Sequence, residues 1–233
     1  MRKRMKSLLI VGLPRSLTSK SYKIACESLE NVLTPCGANA GEILNYQPKS
    51  PSGMTLETTG PFYSQDPKLI DSQIEYIMEF RNNYIVKDVV QPFVIKALRE
   101  RHPEAFNILR IDRMIQDVTY AMTMREWWYP LRAVDEDLIK EAEKSNGIDD
   151  KLLTAFINSL REAATCYDRL PKVTFHSITK NEDAIPKTLR EMGYQSKQVN
   201  YVTKRFKATR TNRFDNRKTP YWKRIDKLFK ESK

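Results

Sequence analysis

Apolar residues along this chain come in two patterns, short unbroken runs and stretches with helical spacing. "SLLIVGL" (7–13) is a continuous apolar run and reads as a buried strand, with helix propensity resuming at Ser19 and lasting to Leu33. Within 67–82, Ile70, Ile74, Ile77 and Met78 fall on one helical face. "YIVKDV" (84–89), "FNILRID" (106–112) and "KVTFHSI" (172–178) read as further strands. Helices are predicted over 93–101, 113–128, 149–169 and 183–192, the last stopping at Gly193. Strands alternating with helices predict an α/β fold whose parallel sheet is covered on both faces. The Pro-, Ser- and Gly-rich stretch 46–66 and the acidic stretch 132–150 read as surface. No internal repeat is visible.

Composition narrows the picture. The 233 residues, 40% of them hydrophobic, suit a single folded domain over 1–233. The net charge of +11 is uneven, because residues 197–233 hold 13 Lys and Arg against 3 Asp and Glu and so carry +10 of it. That asymmetry points to an anion-binding C-terminal segment. Cys26, Cys36 and Cys166 are an odd number without paired or metal-ligand spacing, which suggests a reducing, cytoplasmic setting and no metal. The apolar stretch after "MRKRMK" is too short for a signal segment and runs into Pro14. No segment reaches the ~20 apolar residues a membrane helix needs.

The chemistry concentrates where the first strand meets the first helix. A glycine-containing turn there directs main-chain N–H groups at one spot beside the positive end of the helix dipole, an arrangement that holds phosphate or sulfate. The nucleotide-hydrolysing version needs G-x-x-x-x-G-K-[ST]. Counted from Gly12, the second glycine falls on Leu17 and the lysine on Thr18, and only Ser19 matches. A kinase or NTPase is therefore disfavoured.

"GLPRSLTS" (12–19) resembles instead the 5′-phosphosulfate-binding loop of the sulfotransferase family, close to G-x-P-[RK]-S-G-[TS]-[TS]. Gly12, Pro14, Arg15, Ser16, Thr18 and Ser19 match, and Leu17 stands at the family glycine. The resemblance implies a P-loop-like three-layer sandwich. It also implies that the loop, Pro14, Arg15, Ser16, Leu17, Thr18 and Ser19, holds the donor 3′-phosphoadenosine 5′-phosphosulfate, leaving 3′-phosphoadenosine 5′-phosphate as product. The family's second signature, R-x-P-x-D-x-x-x-S, maps onto 113–121 with Arg113 and Asp117 matching and Ile115 and Ala121 departing. It implies that Arg113 meets the 3′-phosphate, helped by a tail cation such as Arg210 or Arg213. Arg113 and Asp117 also stand i, i+4 and suit an ordinary helical ion pair.

For the general base the family uses a histidine or a glutamate. His102 reads as a helix-end cap and His176 as a core histidine inside a strand. "PCGANAGEILNY" (35–46) resembles the Gly-rich turn of bacterial members with a glutamate base, which implies Glu42 as the base. Lys87 resembles the family's strand lysine near the bridging oxygen, and equally suits a strand-end pair with Asp88. Trp127, Trp128 and Tyr129 cannot share one helix face, so they serve either as core or as an acceptor pocket. The expected acceptor is a hydroxyl on a small molecule, glycan, lipid or peptide. The alternative is a nucleic-acid-binding module, because Tyr201, Phe206, Phe214, Tyr221 and Trp222 interleave with the tail cations.

Overall fold

The structure, a computed structural model, describes residues 6–29, 64–88, 91–125, 149–199 and 219–232, together with the isolated positions 137, 140 and 144. Four parallel strands form the central sheet: β1 (Ser7–Gly12), β2 (Ile85–Asp88), β3 (Phe106–Asp112) and β4 (Lys172–Thr174), in the order β2-β1-β3-β4. Every residue of β1 is buried, as a strand covered on both faces requires. β1 pairs with β3 over six residues, Ser7 opposite Phe106 through Gly12 opposite Ile111.

Alternation along the strands sorts side chains between two cores. Leu8, Ile10, Ile85, Leu109, Ile111 and Val173 pack against α1 (Thr18–Ser28), α6 (Phe175–Lys180) and α7 (Ala184–Glu191). Leu9, Val11, Val86, Phe106 and Ile108 face the other way, towards α2 (Pro67–Met78), α3 (Pro92–Arg101), α4 (Ile115–Thr123) and α5 (Asp150–Thr165). The result is the expected α/β arrangement of three layers, a parallel sheet flanked by helices.

Local chemistry starts these helices where they start. Asp66 accepts from Lys68 N at the head of α2, with Pro67 in the first helical position. Asp149 accepts from Leu152 N at the head of α5. Gly193, at φ 88°, follows the end of α7 in the left-handed conformation that glycine tolerates best.

The helix expected to last to Leu33 ends at Ser28, where Leu29 is extended and bridges Ser196, and two further elements differ from the sequence expectation. The strand expected over 172–178 stops at Thr174, whose hydroxyl accepts from Ser177 N and starts α6. His176 therefore lies exposed on the first turn of a helix, edge-on to Phe175, rather than inside a strand. The second difference is α8 (Pro220–Glu231), a helix within the basic tail that the expectation lacked. Its Ile225 is fully buried among Leu153 and Ile157 of α5, and the indole Nε1 of Trp222 donates to Asp117 Oδ1 at 2.9 Å. Tyr221 donates to Thr123 Oγ1, and Arg161 of α5 donates to the carbonyl oxygens of Phe229 and Ser232. Period-3.6 patterning was present in this stretch, but the density of cations masked it.

Two consequences are measurable. A Cβ at position 12 would lie 2.6 Å from the Ile111 carbonyl oxygen, so Gly12→Ala is expected to destabilise the fold by about 1–3 kcal/mol in urea unfolding. An unchanged midpoint would show that β1 and β3 part freely. Trp222→Phe leaves Asp117 without its indole donor and is expected to cost roughly 1–2 kcal/mol, read by the same method.

Candidate functional site

All four strands point their carboxyl ends to the same edge, and the connections decide where on that edge a ligand fits. β1 is followed in sequence by β2 on one side of it, whereas β3 is followed by β4 on the other. Between β1 and β3 the two connections therefore diverge, leaving a crevice of the kind in which open α/β sheets bind ligands. The loop 13–17 and the loop 113–114 are its two walls.

The first wall is built around left-handed backbone. Arg15 and Leu17 have φ of 63° and 68°. Leu17 is the N-cap of α1 and takes the conformation that a glycine would adopt without strain. Its side chain is kept by packing against the α1 face of the core. No side chain caps α1 and its first turn has no acidic residue, so the positive end of its dipole is unanswered. Among the described residues, the main-chain N–H groups of Ser16, Leu17, Thr18 and Ser19 make no hydrogen bond. Ser16 is fully buried and its Oγ has no partner. Thr18 is buried with its methyl over Gly12, while Ser19 is exposed. Gly12 itself is required by the approach of β3, since the Ile111 oxygen occupies the space of a side chain.

The second wall is Arg113. Its Nη1 donates to the main-chain oxygen of Arg15, and its guanidinium lies 4.4 Å from the centroid of the Phe175 ring. Its Nε is buried without a hydrogen-bond partner. Burial lowers the Arg113 pKa to about 10; the Asp117 carboxylate opposes that shift, and the nearby charge of Arg15 adds to it. Arg15 is exposed, within electrostatic reach of Arg113. Two cations that raise each other's cost, an orphaned hydroxyl and an uncapped helix end stand together at this edge and make its local potential positive.

Of the other sequence candidates, Lys87 is buried on β2, opposite Ile10 of β1, on the face that α1 covers. It thus stands near the same edge as the loop. Asp117 anchors α8 through Trp222 as well as acting on Arg113. Ala121 is partly buried on α4 and offers no side-chain donor. Glu42, Arg210 and Arg213, together with Trp127, Trp128 and Tyr129, lie outside the described residues.

No family model, curated protein or solved structure matches this chain. The site's own chemistry therefore carries the argument, and its donors are of the kind that suit an oxyanion. The observed donors fit a phosphate or phosphosulfate: Ser16 Oγ, the Arg113 guanidinium and the first amides of α1 all seek an acceptor. No group of three or more His, Cys, Asp or Glu that could hold a metal ion occurs among the described residues.

Sequence reasoning missed Phe175, which sits under Arg113, and Lys20, whose Nζ meets Glu182 Oε1 at 2.5 Å to tie the first turn of α1 to the α6–α7 turn. The Thr174-x-x-Ser177 spacing was the signal that would have ended β4 early and brought Phe175 to the sheet edge. A cleft of about 650 Å³ opens at the opposite end of the sheet, lined by Lys6, Lys96, Arg99 and Phe106 among others. There Arg99 donates to the carbonyls of Cys166 and Asp168 just past the end of α5, so it serves as a helix stop. The Cys166 thiol in that cleft is pushed up to about 11 by burial, which leaves it protonated and inert at neutral pH.

The charged form of Arg113 is the one that holds an anion, so affinity is present below its pKa and lost as pH rises through about 10. Inorganic pyrophosphate titrations between pH 8 and 10.5 are expected to show this loss in the wild type and not in Arg113→Gln. Leu17→Gly removes the left-handed strain and is expected to leave pyrophosphate affinity within about threefold, whereas Leu17→Val should cost roughly 1–2 kcal/mol of stability.

Proposed function

We propose that the chain is a sulfotransferase moving a sulfuryl group from 3′-phosphoadenosine 5′-phosphosulfate to a hydroxyl of an acceptor. The observation that carries this reading is the pair of buried, partnerless donors, Ser16 Oγ and Arg113 Nε, on the two walls of the β1–β3 crevice beside an uncapped helix. The resemblance of 12–19 to the family's phosphosulfate loop supplies the identity of the anion. Leu17 supports it, since its backbone holds a left-handed conformation that a glycine adopts without strain.

The chemistry needs no side chain to be modified. The donor supplies an activated sulfuryl group. The bond between sulfur and the bridging phosphate oxygen breaks, and a bond from sulfur to the acceptor oxygen forms. The acceptor proton passes to Glu42, and 3′-phosphoadenosine 5′-phosphate leaves. Negative charge grows on the bridging oxygen during this transfer. In this reading the α1 amides, Ser16 and Arg15 stabilise it as fixed donors, Lys87 assists from β2, and Arg113 grips the 3′-phosphate. In the same reading Arg210 is the tail cation assigned to that phosphate.

The alternative of a nucleic-acid-binding tail draws no support from 219–232. There Arg224 pairs with Asp150, Lys227 with Glu231 and Lys230 with Asp226, while the aromatic face is spent on the core. Cations already answered by carboxylates release few counterions.

Calorimetric titration with 3′-phosphoadenosine 5′-phosphate against AMP tests the proposal. A preference of at least about tenfold for the nucleotide with the extra phosphate is expected, one charge-assisted contact being worth roughly 1.5–3 kcal/mol. Equal affinities, or salt-sensitive oligonucleotide binding without that preference, would overturn it. In turnover with donor and acceptor, Arg15→Ala is expected to lower kcat about a hundredfold with an unchanged unfolding midpoint, because its side chain is exposed.

A further inference from the structure

β3 is longer than the strand beside it. It runs from Phe106 to Asp112, whereas β4 pairs only with Arg110, Ile111 and Asp112. The ladder stops there for a chemical reason. Arg110 N–H donates to Pro171 O at 2.8 Å, and the next bond of a parallel ladder would run from the N–H of residue 171 to Ile108 O. Proline has no N–H to give. Just before it, Arg169 takes φ 63° and Leu170 N–H donates back to Tyr167 O, so the chain turns away towards the end of α5. Among the described residues, none pairs with β3 over Phe106–Leu109 on the β4 side.

The cleft of about 650 Å³ lies in this gap. Phe106, Asn107 and Ile108 line it, together with Leu170 and Pro171. Its volume is within the range of about 300–1000 Å³ in which proteins hold ligands. Ile108 stands two residues from Arg110 in a parallel strand, so its N–H and C=O turn to the side on which Arg110 meets β4. An uncovered stretch of strand is a template for another strand, and these four residues offer about 13 Å of it.

Charge decides what kind of strand fits. Lys6, Lys96 and Arg99 line the cleft against one carboxylate, Glu100. Lys6 is already answered by Glu104 at 2.9 Å. Arg99 donates to two carbonyls and, among the described residues, meets no carboxylate. Lys96 is exposed and, among the described residues, makes no hydrogen bond or ion pair. Its charge acts on the thiol of Cys166, which lines the same cleft. The side chains of Phe106 and Ile108 point to the α3 and α5 layer, while Met192 lines the cleft from the α7 side. A strand laid along this edge therefore turns alternate side chains towards Lys96 and Arg99, and the others towards Met192. We propose that the open edge of β3 takes up an extended acidic peptide as an added strand, with glutamates alternating with apolar residues. The cleft is at the opposite end of the sheet from the crevice, so this interaction does not depend on what the crevice holds.

The experiment is an amide NMR titration of the full chain with acetyl-VEVEV-amide, compared with acetyl-VKVKV-amide and with decanoate. The glutamate peptide is expected to bind at least about tenfold more tightly than the lysine peptide, and to slow hydrogen exchange of Ile108 N–H about tenfold. Lys96→Glu is expected to weaken it about tenfold and Lys96→Gln by less; both changes are at an exposed position, and the two variants check one another. N-methylation separates strand addition from simple charge attraction, because a strand turns successive amides to opposite sides. A peptide methylated at both glutamates and one methylated at the valines are expected to differ, one binding and the other not. Equal binding of these two, equal binding of the lysine peptide, or unchanged affinity in Lys96→Glu would overturn the proposal. Binding of decanoate without binding of the peptide would assign the cleft to a small amphiphile and overturn it too, as would failure of both to bind.

Discussion

The parallel pairing of β1 with β3 is the constraint on which the rest of the molecule depends. Six residues in register bring the end of one strand beside the end of the other. The tightest point of that pairing is the approach of the Ile111 carbonyl to Gly12, too close for any side chain. Once the strands meet this closely, the loops that leave them share a crevice, and Arg113 reaches the main-chain oxygen of Arg15. The site is thus a consequence of sheet geometry before it is a consequence of any motif.

That edge also carries a concentration of unanswered polarity. Ser16, Gln91 and Arg113 all bury donor or acceptor atoms without partners there, and each such group costs about 1–3 kcal/mol. On the far side of the sheet Arg99 and Arg110 donate to the carbonyls that follow α5. The left-handed Leu17 belongs to the same pattern, a strained residue held in place by packing on its own side chain.

The terminal helix gives the tail a structural part to play. Its aromatic face packs on α4 and α5, and Trp222 fastens it to Asp117, one turn beyond Arg113. Asp117 consequently serves two masters, acting on the Arg113 charge and holding the end of the chain. Within this helix Arg224 pairs with Asp150, Lys227 with Glu231 and Lys230 with Asp226.

By itself the sequence determined the alternation of strand and helix, since short unbroken apolar runs and period-3.6 faces are local properties of the residues in each segment. It also showed that the turn after β1 gathers a glycine, a proline, an arginine and hydroxyls ahead of a helix, because that spacing is local to the segment. It could not determine where β4 ends, for Val173 and Phe175 are apolar in either conformation and only the Thr174 cap decides between them. It could not place Phe175 beneath Arg113, or show that Gln91 and Ser16 are buried without partners. Those facts depend on strand order and on residues distant in the chain arriving at one edge, and no local pattern encodes which strand becomes whose neighbour.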